Sequence, residues 1–340
     1  MNDELKFTVI SDTHYYSKKN FVDGFDKNKK PKPGQLFFSR SEEIVEHTFD
    51  CLCKNDTPDI VLISGDLTYN GERTSHDEMK AALKKLQQKG KRVYVITATH
   101  DYTTPRMPTY GIDKNDKYIE VESVKRTQLL KYYGDFGYNN AIAKHKSTMS
   151  YVAQLADGYR LFALNDDYGD PDCGFSDELM NWVKTEANNA KRDGQYIIAM
   201  THHPLVPPSP IYAAVAKGDM LNDYELLRKQ FSDLGFDFVL TGHTHMHNIS
   251  YCKIGNKKFY DISTAALTGF PPYYRQIVLN KEQKKAEIKT ICADCADSID
   301  TNGLALEEYT KDLFLGVVSK ALYDAEYDYD NFADFAVGMS

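Results

Sequence analysis

Short apolar runs alternate with amphipathic segments along most of the chain. The runs near residues 10, 62 and 95 are continuous in apolar residues, which is typical of strands buried on both faces. The segments between them have the 3.6-residue period of helices. The predicted strands are 7–10, 59–64, 93–96, 148–155, 159–164, 195–200 and 236–240, and the predicted helices are 41–54, 75–89, 121–133, 176–193 and 222–234. Strands that alternate with helices indicate a parallel sheet of the α/β class.

The last part of the chain has a different pattern. Four segments, 249–254, 258–262, 275–279 and 287–292, are expected to be antiparallel strands of a second sheet. An amphipathic tail, 304–329, predicts one or two helices. We therefore expect one domain over residues 1–295 and a helical extension, 296–340, packed on it. Long polar loops at 15–39, 102–120 and 204–221 are expected to wall a pocket.

Ligand-type side chains follow the predicted strands where each strand ends. The carboxyl ends of parallel strands meet at one edge of a sheet, and ligands bind there. Carboxylate and imidazole together suit a divalent transition metal. The residues in question are Asp12, His14, Asp66, His100, Asp101, His202, His203, His243 and His245. Asn165, Asp166 and Asp167 follow a further strand; the two acids could reach the cleft, but we expect them to be solvated in a loop.

Composition limits the function classes. The chain has 340 residues, of which 42% are hydrophobic, so a large core is available. Its net charge of −8 argues against general nucleic-acid binding, which requires a basic face. No apolar run reaches the length of about 18 residues that spans a bilayer. Six cysteines are too few for a disulfide-dense scaffold at this size.

An acidic chain can still bind a small phosphate ester, because bound metal ions supply local positive charge. We expect such an ester as the partner. The polar N-terminus is not a signal peptide, so we expect a cytoplasmic protein, with a mature secreted or lipid-anchored form as the alternative. The sequence does not predict the oligomeric state.

Taken as a set, the strand-end motifs resemble those of the calcineurin-like metallophosphoesterase family. The family pattern is D-x-H, G-D, G-N-H-[DE], H and G-H-x-H. The matching residues, in the same order, are Asp12-Thr13-His14, Gly65-Asp66, Ala98-Thr99-His100-Asp101, His202 and Gly242-His243-Thr244-His245. The match covers roughly residues 5–280. It implies a two-layer β-sandwich flanked by helices, the αββα metallophosphoesterase fold.

The resemblance also implies two metal ions, with manganese, iron and zinc as the candidates. The first metal would be bound by Asp12, His14, Asp66 and His245. The second would share Asp66 and add His202 and His243. Thr99 stands where the family has an asparagine ligand, and its hydroxyl is a poorer ligand than an amide oxygen. The second metal is then expected to be bound more weakly, to take an extra water or to recruit Asp101.

The implied reaction is hydrolysis of a phosphodiester or phosphomonoester by a hydroxide that bridges the metals and attacks phosphorus in line. His100 would be the general acid, with Asp101 orienting its ring. His203 and Arg275 are expected to face the substrate, although Arg275 could instead pair with an acid at the edge of the core.

Two further stretches, 65–72 and 264–275, resemble more loosely bacterial phosphoesterases related to cyclic-nucleotide phosphodiesterases. A nucleotide is therefore among the candidate substrates. The alternative function is a catalytically weakened or inactive binding protein of the same fold, because Thr99 replaces a metal ligand.

Overall fold

The structure, a computed structural model, describes residues 4–26, 28–32, 34–54, 56–167, 173–294 and 299–327. Its strands are β1 (Glu4–Ile10), β2 (Ile60–Ser64), β3 (Arg92–Ile96), β4 (Gly111–Ile112), β5 (Tyr118–Ile119), β6 (Ala143–His145), β7 (Ser150–Ala156), β8 (Tyr159–Ala163), β9 (Tyr196–Met200), β10 (Phe238–Thr241), β11 (Asn248–Ile254), β12 (Lys257–Ser263), β13 (Tyr273–Asn280) and β14 (Lys285–Cys292). Its helices are α1 (Ser41–Leu52), α2 (Arg73–Gln88), α3 (Leu129–Tyr133), α4 (Asp177–Arg192), α5 (Tyr212–Val215), α6 (Tyr224–Leu234) and α7 (Leu306–Tyr327).

The fold contains two large sheets, and the strands in the middle of each sheet are parallel. The five-stranded sheet has the order β14-β13-β1-β2-β3, and the seven-stranded sheet has the order β11-β12-β10-β9-β8-β7-β6. Strands β1, β2 and β3 are parallel, as are β8, β9, β10 and β12. The predicted parallel sheet is thus confirmed, and β7 and β8 form an antiparallel pair.

The strands are apolar on both faces because each sheet lies between two layers. In β2, Val61 and Ile63 pack against α1 and α2, while Ile60 and Leu62 pack between the sheets. Successive side chains of a strand point to opposite faces, so both faces must be apolar. In the other sheet, Val239 packs against α4 and α6. The αββα class expected from the sequence is therefore confirmed.

The last four strands do not form a sheet of their own, so that prediction was wrong. Strands β11 and β12 extend the seven-stranded sheet, while β13 and β14 extend the five-stranded one. Strand β13 pairs with β1 along its length, with Phe7 opposite Ile277. The hydrophobic pattern of a strand does not specify which sheet edge it joins, because any edge with an apolar face satisfies it.

The helix predicted for 121–133 begins late: a 3-10 turn, Arg126–Gln128, leads directly into α3, and the residues before it are not helical. The preceding residues make backbone hydrogen bonds to a neighbouring segment instead. Val124 donates its N–H to the Gly71 carbonyl at 2.9 Å, and the Glu122 carbonyl accepts from Arg73 at 2.9 Å. A backbone group that is paired across a loop is unavailable to a helix.

The tail forms α7, and its first turn packs on the five-stranded half. Leu306 is buried in the cluster that joins α1 and α2 to that sheet, and Glu307 bonds the Tyr273 hydroxyl. The domain boundary at residue 295 stays a prediction, and residues 295–298 and 328–340 lie outside the described part. In the described ranges, no helix is both long and apolar enough to cross a membrane.

Candidate metal centre

The parallel strands in the middle of each sheet end at the same edge of the sandwich. Asp12 and His14 follow β1 and Asp66 follows β2, whereas His202 follows β9 and the pair His243 and His245 follows β10. Backbone hydrogen bonds continue past the strands, since His14 donates to the Asp66 carbonyl at 3.0 Å. The His243 N–H donates to the Asp12 carboxylate at 3.1 Å, which links the two sheets at this edge.

Five of the six expected ligands have left-handed backbone. Their φ angles lie between 37° and 62° at Asp12, His14, Asp66, His243 and His245. A residue other than glycine in this region costs about 1–3 kcal/mol and persists only where its surroundings impose it. The chain accepts this strain at the strand ends, where each turn aims a polar side chain into the same space.

Two motif glycines allow the close approach. A Cβ at Gly65, which has φ of 102°, would lie 2.7 Å from His202 Nδ1 and 2.9 Å from Ala98 Cβ. A Cβ at Gly242 would overlap the Ser11 hydroxyl and the Asp12 carboxylate. Glycine precedes Asp66 and His243 because no larger residue leaves room for the opposing ligand.

The structure brings all six expected ligands together. His14 Nε2 lies 3.1 Å from His245 Nε2, and His202 Nε2 lies 3.1 Å from Asp66 Oδ2. Ligand atoms of Asp12, His14 and His245 lie within 4.8 Å of one another, as do those of Asp66, His202 and His243. His14 Nε2 and Asp66 Oδ2, 3.8 Å apart, connect the two groups. Ligands of one metal are about 3–3.5 Å apart when its bonds are about 2.1 Å.

The orientation of His202 fits a cation. Its Nδ1 donates to the Ser64 carbonyl at 2.8 Å, so Nε2 is the ring nitrogen that faces the centre. Nε2 is buried and has no hydrogen-bond partner among the described residues, while an Asp66 carboxylate oxygen faces it. Two electron-rich atoms at this distance are stabilised by a positive charge between them, so the residues present fit a metal ion.

The electrostatics favour the same protonation states that metal ligands require. Burial alone would raise the pKa of Asp12 and Asp66, but the histidines, His202 foremost, outweigh it and lower both values. Burial lowers the pKa of His14 to about 3 and that of His243 well below its usual range. Two carboxylates and two neutral imidazoles thus coexist at neutral pH, as metal binding demands. His202 differs: burial alone would lower its pKa, but Asp66 and Asp12 outweigh burial and raise the pKa well above its usual range, so a metal ion at this position would replace a proton.

His100 lies beside this centre. One of its ring nitrogens belongs to a group with His14 and Asp66 whose ligand atoms are all within 4.8 Å. Nδ1 lies 2.6 Å from the Tyr69 carbonyl and 2.8 Å from Asn70 Oδ1. Both partners are acceptors, so Nδ1 carries a proton and Nε2 is the nitrogen free to exchange one.

The expectation that Asp101 orients the His100 ring is wrong. The buried Asp101 carboxylate accepts the backbone N–H groups of Thr68 and Ala98, both at 2.9 Å. It therefore ties the turn after β3 to the turn after β2, and the ring is oriented by Tyr69 and Asn70. Thr99 lies in the same turn and is half-buried, and its effect on metal binding stays a prediction.

Asp166 is a site residue that the sequence interpretation assigned to a solvated loop in preference to the cleft. Its carboxylate accepts the backbone N–H groups of His202 and His203, each at 2.8 Å, and contacts His203 Nδ1 at 3.1 Å. The side chains at 165–167 are all buried, which contradicts the expected solvation. The signal was available: these acids follow β8, which runs parallel to β9.

The two expected substrate contacts differ in position. His203 lies within the centre, with its ring centroid 4.0 Å from that of His243, and its contact with substrate stays a prediction. Arg275 is 2% exposed and donates to the Ser263 and Asn248 carbonyls at 2.7 and 3.1 Å. It joins the two sheets instead of facing substrate, and its partners are backbone carbonyls rather than an acid.

A family model described as calcineurin-like phosphoesterase matches residues 5–247. Among solved structures, a dimetal phosphatase from Danio rerio aligns with TM-score 0.53 and 13% identity over 85% of this chain and 99% of its own. That likeness shows the fold alone. No curated protein sequence matches the chain.

Two further structures align less closely. The NAD nucleotidase NadN of Haemophilus influenzae has 13% identity and TM-score 0.43 over 84% of this chain and 49% of its own. GAP50, the anchor in the inner membrane complex of Plasmodium, has 11% identity and TM-score 0.43 over 92% of this chain and 94% of its own. These TM-scores are too low to carry an argument. Because the family model spans most of the chain, and the ligands of its motifs converge at one edge of the sandwich, the chain belongs to the calcineurin-like phosphoesterase family, whose dinuclear-metal enzymes hydrolyse phosphoesters.

Proposed function

We propose that this chain hydrolyses a small phosphodiester or phosphomonoester with two bound metal ions. One observation carries the proposal: six side chains from both sheets converge with Asp66 between them. The first metal would be bound by Asp12, His14, Asp66 and His245, and the second by Asp66, His202 and His243. Manganese, iron and zinc all suit such nitrogen and oxygen ligands.

When bound, the two ions acidify a water as the nucleophile and neutralise charge on the phosphate oxygens. The residues around the ligands fix their orientation. The backbone N–H of His100 donates to Asp66 Oδ1 at 3.0 Å. The other carboxylate oxygen, Oδ2, is left directed at His202. The Ser64 carbonyl selects the tautomer of His202, and such outer contacts commonly tune metal affinity.

His100 is proposed as the general acid. Its Nδ1–H is held by Tyr69 and Asn70, so Nε2 can give a proton to the oxygen of the departing alcohol. Asp101 acts as a positioning residue, because it anchors the turn that carries His100. His203, oriented by Asp166, is proposed to face the phosphate.

The second metal is proposed to bind more weakly than the first because of Thr99. A threonine side chain is shorter than asparagine and presents a hydroxyl in place of an amide oxygen. The three remaining ligands of the second site still match the number that catalytic metals commonly have. Weaker occupancy, with activity retained at high metal concentration, is the expected consequence.

The test combines metal content with turnover. The chain is loaded with manganese or zinc, and hydrolysis of nitrophenyl phosphate and bis(nitrophenyl) phosphate is measured beside Asp66→Asn and Thr99→Asn. We expect turnover by the wild type, loss of turnover and metal in Asp66→Asn, and filling of the second site at lower metal concentration in Thr99→Asn. A metal-loaded wild type no faster than Asp66→Asn would instead identify an inactive binding protein.

A further inference from the structure

Two long loops, residues 15–39 and 102–120, pack on each other next to His100, and we call them the cap. Val22 donates its N–H to the Ile112 carbonyl at 3.0 Å, and the Tyr16 hydroxyl donates to the Tyr110 carbonyl at 3.2 Å. Gly111 makes this approach possible, since a Cβ there would lie 2.8 Å from the Asn20 carbonyl oxygen. The described residues of the two loops are thus held together by hydrogen bonds.

A cavity of about 490 Å³ lies between the two loops. Its lining includes five aromatic side chains, Phe21, Phe25, Phe37, Phe38 and Tyr118. Tyr118 is 71% exposed, which is unusual for a large ring that has apolar neighbours within reach. The volume lies within the range of small-molecule sites, about 300–1,000 Å³.

The charges on the cavity wall are partly compensated within the cap. Lys32 lies 3.2 Å from the Asp116 carboxylate, and Lys29 also pairs with Asp116. The Arg40 guanidinium lies over the Phe25 ring, 4.9 Å from its centroid. The Arg40 charge is also compensated, by Glu43 at 3.0 Å. The cavity therefore offers aromatic faces beside compensated charges, and aromatic faces suit a flat ring.

A row of aromatic side chains in contact lies between this cavity and the metal centre. The Tyr69 ring centroid lies 6.3 Å from that of His14 and 5.0 Å from that of Phe38. It also lies 6.1 Å from Tyr110, which in turn lies 4.2 Å from Tyr118. The same Tyr69 holds His100 through its carbonyl.

The general acid determines which part of the substrate lies on this side. A proton donor must reach the oxygen of the leaving group, so the departing alcohol lies along Tyr69. We propose that the cap cavity binds a planar ring carried by that alcohol, stacked on Tyr118 and Phe38. The preferred substrates are then phosphoesters of alcohols that bear an aromatic heterocycle beyond a sugar-sized spacer. This inference rests on the proposed function.

The test compares two substrates that share one leaving oxygen. Adenosine 5′-phosphate and ribose 5-phosphate, used as monoesters and as methyl diesters, differ only in the planar base. We expect kcat/KM to be about tenfold higher for the nucleoside, the size of effect seen for one stacked base. Tyr118→Leu should remove most of this ratio and Tyr118→Phe should keep it. Tyr251→Leu, at an exposed tyrosine on β11, is the matched control and should leave the ratio unchanged.

A binding measurement separates this inference from the proposed function. Calorimetry on the metal-loaded protein uses the corresponding phosphonates, in which a methylene replaces the leaving oxygen. Tighter binding of the nucleoside phosphonate, weakened by Tyr118→Leu, without turnover of any ester would support the cavity and overturn the hydrolase proposal. Suppose instead that nitrophenyl esters are turned over, both phosphonates have equal dissociation constants and Tyr118→Leu has no effect. This result would overturn the proposed role of the cavity and leave the hydrolase proposal standing. If the protein neither prefers the nucleoside phosphonate nor turns over any ester, both the cavity proposal and the hydrolase proposal would be overturned.

Discussion

At the scale of single residues, the partner of one ring nitrogen decides what each histidine can do. The Ser64 carbonyl holds His202 so that its Nε2 faces Asp66. His76 lies between the Tyr133 hydroxyl and the Asp101 carbonyl, and burial lowers its pKa to about 3. Both rings are fully buried, but only the first presents a nitrogen to the centre. The role of a histidine therefore follows from its contacts.

The general-acid role of His100 is best tested by varying the leaving group. His100→Ala should lower turnover of an alkyl phosphoester by about 10²–10⁴-fold and leave metal content close to that of the wild type. A nitrophenolate departs without a proton, so nitrophenyl esters should lose far less. Steady-state kinetics on both esters, with metal analysis of the same samples, measure the difference.

His47→Ala, on the outer helix α1, is the control for this experiment and should resemble the wild type with both esters. Equal losses by His100→Ala on alkyl and nitrophenyl esters would rule out proton donation. Parallel losses of metal and turnover would show that His100 is a metal ligand, which its proximity to His14 and Asp66 allows.

At the scale of elements, the strand ends place the ligands and the glycines admit them. The chain leaves β1 and β10 through left-handed turns, so that Asp12 and His243 approach from opposite sheets. The pairing of these turns explains why ligand residues occur two apart in sequence. It also makes the centre sensitive to a single added methyl group.

Gly242→Ala tests this dependence. Its Cβ would overlap Ser11 and Asp12, so Asp12 must move away from His245 and metal content should fall together with turnover. Overpacking of this kind costs about 1–3 kcal/mol of stability. Gly218→Ala is the matched control, because a Cβ there meets nothing within 4 Å. Metal content per chain and thermal unfolding are measured for both variants, and a Gly242→Ala protein with full metal content would contradict the assignment.

At the scale of the whole molecule, the centre joins the two halves of the sandwich at this edge. Asp12, His14 and Asp66 belong to the five-stranded half, whereas His202, His243 and His245 belong to the seven-stranded half. Arg275 makes a second link, since it reaches from β13 to carbonyls of the other sheet. Metal binding should therefore stabilise the sandwich as a unit.

Metal removal should lower the melting temperature by several degrees. A ligand present at 100 times its dissociation constant stabilises the folded state by about 2.7 kcal/mol. Differential scanning calorimetry of the chain with manganese and with chelator measures the shift. The melting temperature of Asp66→Asn should change neither with manganese nor with chelator. Identical melting of the loaded and chelated wild type would show that no ion bridges the halves.

Several features of this protein follow from the sequence alone. Apolar runs with strand or helix periodicity predicted most elements, because burial on a given face is a local requirement. The six ligands were identifiable because they stand where strands end, at spacings that a known family shares. Neither inference required knowledge of which strands are neighbours.

Other features were decided only by the tertiary structure. The pairing of β13 with β1, the capture of the His202–His203 turn by Asp166 and the backbone contacts of Asp101 and Arg275 join residues far apart in the chain. A buried polar side chain must bond whatever donor or acceptor the packed fold brings near it. Its partner, and hence its role, depends on the arrangement of the whole fold, which local sequence does not specify.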